Sequence, residues 1–341
     1  MSTFAVLVRR IEVFPHPNAD LIELAKVDDY RCVVKKGEFK TGDLVAYIPE
    51  ASIVPEPLVA EMGLTGRLAG AEKNRVKAVK LRGELSQGLA LAARPHWKEG
   101  DDVTAELGIV KWIPPIPVHL AGELAPAPEG WHGYTDIENI KRYPNVLQPG
   151  EEVIATEKVH GTCTLLGLVN GVAAVSSKGY GAGGKAIKED EKNLYWRMAR
   201  KYNLFEKLEG LGGAQGAIML FGETFGAGVQ DLGYGAQKGE PIYFAFDMSI
   251  DGRYLDYDDF AKICAERDIP MAHVLYRGPF GPECLAHTKG KETISGKEIH
   301  MREGIVIRPI KERYEHDIGR VILKSVNEDY LLRGGEATEF E

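Results

Sequence analysis

The chain has 341 residues, 44% of them hydrophobic and 27% charged, with a formal net charge of −8. That length accommodates two domains. No stretch approaches the roughly 18 apolar residues of a membrane span, and the net acidity argues against a protein that coats nucleic acid through overall charge.

The first 113 residues read as all-β. Short β-rich runs at 4–8, 31–34, 44–48, 76–81 and 88–91 alternate with turn clusters such as Pro15-His16-Pro17-Asn18 and Lys40-Thr41-Gly42-Asp43, the pattern of a small barrel. Basic charge is local: residues 67–98 carry eight Lys or Arg against Glu72 and Glu84. Within 73–82, Lys73, Arg75 and Lys77 alternate, and Lys80 and Arg82 alternate after a one-residue slip. This predicts a bulged strand with a basic face able to track phosphates, the alternative being a solvated outer face. Arg75, Lys77, Lys80 and Arg82 are its candidate nucleic-acid-binding residues. The segments His16-Pro17-Asn18-Ala19-Asp20, Leu24-Ala25-Lys26-Val27, Gly42-Asp43-Leu44-Val45-Ala46 and Leu81-Arg82-Gly83-Glu84-Leu85-Ser86-Gln87-Gly88 together resemble tRNA-binding OB-folds of the EMAP type. The resemblance implies an oligonucleotide-binding barrel.

Residues 114–134 contain Pro114, Pro115, Pro117, Pro126 and Pro128 and read as a linker. Residues 135–341 read as a second, mixed domain. Helical spacing covers 189–208 and 257–267, with apolar strands at 173–176, 217–221, 242–246, 304–307 and 320–323. The four cysteines, Cys32, Cys163, Cys264 and Cys284, are widely spaced without a Cys-x-x-Cys. That disfavours a zinc site or a disulfide framework and fits a reduced, cytoplasmic setting. The N-terminal residues do not have the pattern of a signal peptide.

Lys158, in Glu157-Lys158-Val159-His160-Gly161-Thr162, stands between the apolar runs 153–155 and 165–169. A lysine held there, partly desolvated and near other cations, is a candidate nucleophile. Downstream, in order, come Ser176-Ser177-Lys178-Gly179, Leu220-Phe221-Gly222-Glu223-Thr224, Tyr243-Phe244-Ala245-Phe246-Asp247, Glu303-Gly304-Ile305-Val306-Ile307-Arg308 and Val321-Ile322-Leu323-Lys324-Ser325. Together these resemble motifs I, Ia, III, IIIa, IV and V of the covalent nucleotidyltransferase superfamily of ATP-dependent ligases and mRNA capping enzymes. The resemblance implies that Lys158 attacks the α-phosphate of ATP and carries AMP. It implies a divalent metal, Mg2+ or Mn2+, at Glu303, an α-phosphate contact from Lys324, ribose hydrogen bonds to Glu223, adenine stacking on Phe244 and an adenine-edge contact from Glu157. Lys178 is expected at a phosphate or the polynucleotide end. His160 is similar to a residue of the T4 ligase 2 and RNA-editing ligase branch that serves steps after lysine adenylation.

Only 17 residues follow Lys324, too few for the trailing OB-fold of DNA ligases and capping enzymes. A leading barrel and a C-terminal transferase domain resemble the Deinococcus-type RNA ligases, also known from Naegleria. The expected fold class is therefore α+β: an N-terminal OB-fold β-barrel followed by an α+β nucleotidyltransferase domain, ATP-grasp-like, with antiparallel sheets and flanking helices. The resemblance implies an ATP-dependent RNA ligase acting on nicked duplexes with RNA at the 3′-OH end, and the chain is separately expected to act as a monomer. A GTP-using capping-type transferase and a noncatalytic RNA-binding protein are the alternatives. Many T4 ligase 2-type enzymes have Lys-x-Lys in motif V, whereas here Val326 stands at the second position. Either Arg308, Lys311 or Arg313 supplies that cation, or this branch does without it.

Overall fold

The computed structural model describes residues 4–113, 121–212 and 216–333. The described residues form two compact units, one drawn from 1–114, 138–145 and 326–341, the other from 115–137 and 146–325. Among the described residues no helix is long and apolar enough to cross a membrane.

In the first unit, five antiparallel strands stand in the order Tyr30–Lys35, Ile22–Val27, Leu7–Pro15, Leu44–Ile48, Leu89–Ala92. The expected strand at 4–8 is found at Leu7–Pro15, long enough to serve two partners. Leu7 to Arg10 pair with the Leu44–Ile48 strand, and Ile11 to Pro15 with Ile22–Val27. Alternation along Leu44–Ile48 sends Ala46 and Ile48 into one apolar cluster with Val8 and Trp97, and Val45 and Tyr47 into another with Ile11 and Cys32. Both faces of the sheet therefore bury apolar side chains.

The expected basic strand over 73–82 is not continuous. Lys73 (φ 53°) and Arg82 (φ 50°) adopt left-handed turn conformations, Arg75 makes only isolated bridges, and the strand itself is Val79–Leu81. Turns at both ends break the two-residue period, so the basic groups do not share one sheet face. Lys80 and Arg82 are exposed, while Arg75 and Lys77 are half-buried around inward-facing Val76 and Ala78. The Arg75 guanidinium lies 4.0 Å from the centre of the Trp112 ring, a cation–π contact that holds it against its own unit.

The second unit holds two sheets. The larger runs Leu124–Pro126, Lys185–Ile187, Val172–Ser177, Gly161–Val169, Ala217–Phe225, Ile242–Ile250, Arg253–Tyr254. In the smaller, Leu323–Val326, Gly304–Pro309, Glu152–Lys158 and Val274–Pro279 lie side by side. The linker expected at 114–134 is corrected in part. Residues 114–120 lie outside the described residues, but Leu124–Pro126 is an edge strand of the larger sheet, where a proline forfeits no interior ladder bond. The strand expected at 320–323 is split into Gly319–Arg320 and Leu323–Val326.

Helices Leu194–Lys201, Leu204–Leu208 and Tyr257–Glu266 cover one face of the larger sheet, packing Tyr195, Met198, Leu204 and Phe260 against Leu166, Leu220 and Met248. The single helix expected over 189–208 is two. Asn193 caps the first by accepting from the Tyr195 and Trp196 amides, and Asn203, left-handed at φ 51°, interrupts the run. Beside the opposite face lies a buried ion network. Asp247 accepts from Arg308 at 2.9 Å, Arg320 at 2.6 Å and the Tyr134 hydroxyl at 2.9 Å. Burial opposes ionisation of Asp247, but the two guanidiniums hold its carboxyl below the ordinary carboxylate range.

Candidate active site

Lys158 ends the strand Glu152–Lys158, and the neighbouring strand opposes it with Gly304. That register brings Glu303, the residue before Gly304, to the same strand end. Lys158 Nζ lies 2.6 Å from Glu303 Oε1, the two side chains being only 16% and 2% exposed. The glycine three residues after Lys158 has a steric reason. A Cβ at Gly161 would lie 2.4 Å from the Thr224 carbonyl oxygen, so only glycine lets the Gly161–Val169 strand begin its pairing with Phe225 there.

The larger sheet contributes Cys163, Glu223 and Phe244, which are register partners across three adjacent strands and so share a face. Burial pushes the Glu223 carboxyl up to about 8. The charges of Lys158 and Lys178 pull against that rise, and Glu303 reinforces it. Cys163 is also pushed up, by burial first and then by Glu223. Lys178 Nζ is 2.7 Å from Asp136 Oδ1, so any anion recruited by Lys178 has a carboxylate competitor.

Strand alternation turns Glu157 away from Lys158. Its buried carboxylate accepts from the Thr293 amide at 3.0 Å and the Thr293 hydroxyl at 2.5 Å, with Arg302 Nε 3.8 Å away. Arg302 is itself anchored on the carbonyls of His287, Lys289 and Lys291. Phe244 stacks on His273 with ring centroids 5.3 Å apart and meets Phe225 edge-on. His160 is buried. Its Nε2 lies 2.6 Å from Asp231, and its amide donates to the Tyr234 hydroxyl at 2.7 Å. His273, Thr293, Asp231 and Asp136 escape the sequence reading because they stand in loops or at strand edges, where no period marks them.

Lys324 is buried in the Leu323–Val326 strand, adjacent to the strand that follows Glu303. The three candidates for a second motif V cation are committed elsewhere. Arg308 bonds Asp247 and the Leu255 carbonyl, Lys311 bonds Asp256, and Arg313 bonds Glu151 and the Val146 carbonyl. Among the described residues no group of three or more His, Cys, Asp or Glu is arranged to hold a metal ion. Glu303 offers hard oxygen donors, suited to an ion that keeps water and phosphate ligands rather than one caged by protein.

A family model described as RNA ligase matches residues 151–326, more than half of the chain, and an OB-fold domain model matches residues 5–93. A search of curated proteins finds no match. Among solved structures, a mutant of Naegleria gruberi RNA ligase with AMP and Mn is similar, with a TM-score of 0.80 and 25% identity over 96% of this chain and 98% of that one. The same organism's RNA ligase with PPi matches with a TM-score of 0.80 and 25% identity over 96% and 97%. The architecture is thus an N-terminal OB-fold followed by a ligase domain, and the chain belongs to the RNA ligase family.

Proposed function

We propose that this protein is an ATP-dependent ligase that seals 3′-OH/5′-phosphate nicks with RNA on the 3′-OH side. The observation that carries the reading is the Lys158–Glu303 pair, 2.6 Å apart at a strand end, with Glu223 and Lys178 close enough to act on one another electrostatically. In the first step the Lys158 amine, having lost its proton, attacks the α-phosphorus of ATP. A P–N bond forms, the bond to the β-phosphate oxygen breaks, and pyrophosphate leaves. PPi is present in one of the Naegleria gruberi ligase structures, and AMP with Mn in another. In the second step an oxygen of the 5′-phosphate attacks the lysyl-AMP and frees Lys158. In the third the 3′-OH attacks the AMP-capped 5′-phosphate, losing its proton and releasing AMP.

Phosphoryl transfer is catalysed mainly by positioning and electrostatics. Lys324 and Lys178 supply positive charge for the phosphates, and Lys178 exchanges Asp136 for its anion. Glu223 bonds the ribose, Phe244 stacks on adenine, and Glu157 reaches the adenine edge. His160, braced by Asp231, acts in the steps after adenylation. Mg2+ or Mn2+ at Glu303 would stabilise charge on the transferring phosphate. The protein acts as a monomer, with the OB-fold holding the nicked duplex.

Incubation with labelled ATP and either metal should leave a covalent AMP adduct in the wild type and none in Lys158→Ala. Labelled GTP should leave none. Nicked duplexes varied strand by strand should seal only with RNA at the 3′-OH. Absence of an adduct with every divalent metal would sink the reading.

A further inference from the structure

His273 is absent from every motif above, yet it joins two parts of the proposed nucleotide pocket. Its ring stacks on Phe244 at 5.3 Å with 27° between the planes, and its Nδ1 lies 3.0 Å from Thr293 Oγ1. The Thr293 hydroxyl has one proton, and the Glu157 carboxylate, 2.5 Å away, is an acceptor only. The hydroxyl therefore donates to Glu157 and must accept from His273, so Nδ1 carries the imidazole proton. The backbone closes the same link, because the Glu157 amide donates to the His273 carbonyl at 2.8 Å.

We propose that His273 and Thr293 are positioning residues for nucleotide binding: His273 sets the plane of Phe244, and the chain Nδ1–H to Thr293 to Glu157 fixes the carboxylate. This rests on the proposed roles of Phe244 and Glu157 at the purine. A stack and a directional relay ending on the two groups that would read one base are the economical way to preorganise both.

The test separates the two links. Thr293→Val keeps the imidazole ring and removes the relay. His273→Phe keeps a stacking ring and removes the Nδ1 donor. His273→Ala removes both. Equilibrium ATP binding, measured on full-length protein carrying Lys158→Ala to prevent chemistry, should weaken about three- to tenfold in Thr293→Val and in His273→Phe, and about tenfold or more in His273→Ala. Thr293→Ser, which keeps the hydroxyl, should recover most of what Thr293→Val loses. In protein with Lys158 intact, the KM for ATP in adduct formation should rise while the rate at saturating ATP changes less than threefold. ATP affinity within twofold of the parent in both Thr293→Val and His273→Ala would overturn the proposal, as would Thr293→Ser no better than Thr293→Val. If ATP binds and responds to these variants but wild-type protein forms no adduct, the ligase reading fails and this inference stands.

Discussion

Glu223 shows how a single residue's surroundings set the charge of the whole pocket. Its carboxyl, ordinarily near 4.5, is raised to about 8, first by burial and with Glu303 adding repulsion. At neutral pH it therefore holds a proton, and the positive charges of Lys158 and Lys178 are less offset where a triphosphate would arrive. The same shift has a consequence for stability. Between about 4.5 and 8 the folded protein binds a proton that the unfolded chain has released. This group's contribution is fully present below that window and is lost as pH rises through it. Glu223→Gln is neutral in both states and removes the dependence. The Tm of Glu223→Gln minus that of the wild type should thus be more positive at pH 8 than at pH 5. An equal difference at both pH values would show that the carboxyl titrates normally.

At the scale of elements, the site depends on strand ends kept in register. Gly161 tests this, since a Cβ there meets the Thr224 carbonyl oxygen at 2.4 Å and backbone cannot swing aside as a side chain can. Gly161→Ala should cost about 1–3 kcal/mol, as overpacking does, and slow adduct formation by shifting Lys158 from Glu303. Unchanged denaturant midpoint and adduct rate would mean that the strand yields at no cost. Register also explains what the sequence made legible. Lys158 and Glu303 are far apart in the chain, but Lys158 ends one apolar strand and Glu303 precedes another, and apolar runs mark adjacent buried strands. His273 and Thr293 belong to no such run, because a polar residue in a loop is placed by its partners rather than by a period. The basic segment failed for a related reason. Alternating lysines and arginines look the same in a strand and in two turns, and only the left-handed Lys73 and Arg82 tell them apart.

For the whole molecule, the proposed chemistry divides between a unit that makes the adduct and a unit that holds nucleic acid. Every residue assigned to the first step lies in the second unit, whereas Arg75, Lys77, Lys80 and Arg82 lie in the first. Lys80 and Arg82 are the exposed pair and the better candidates for phosphates, since Arg75 is stacked on Trp112. Each phosphate contact releases condensed counterions, with a slope of about 0.9 per contact in log affinity against log salt. Replacing Lys80 and Arg82 together by alanine should lower the salt slope of nicked-duplex binding by up to roughly 1.8 on that scale, weaken sealing at physiological salt, and leave the AMP adduct yield intact. Arg75→Ala should behave differently, losing its ring contact and lowering thermal stability with little change in slope. Binding isotherms over a salt series decide between them. A slope unchanged in the double variant retires this surface, and an adduct yield that falls with it would mean that the division of labour is wrong.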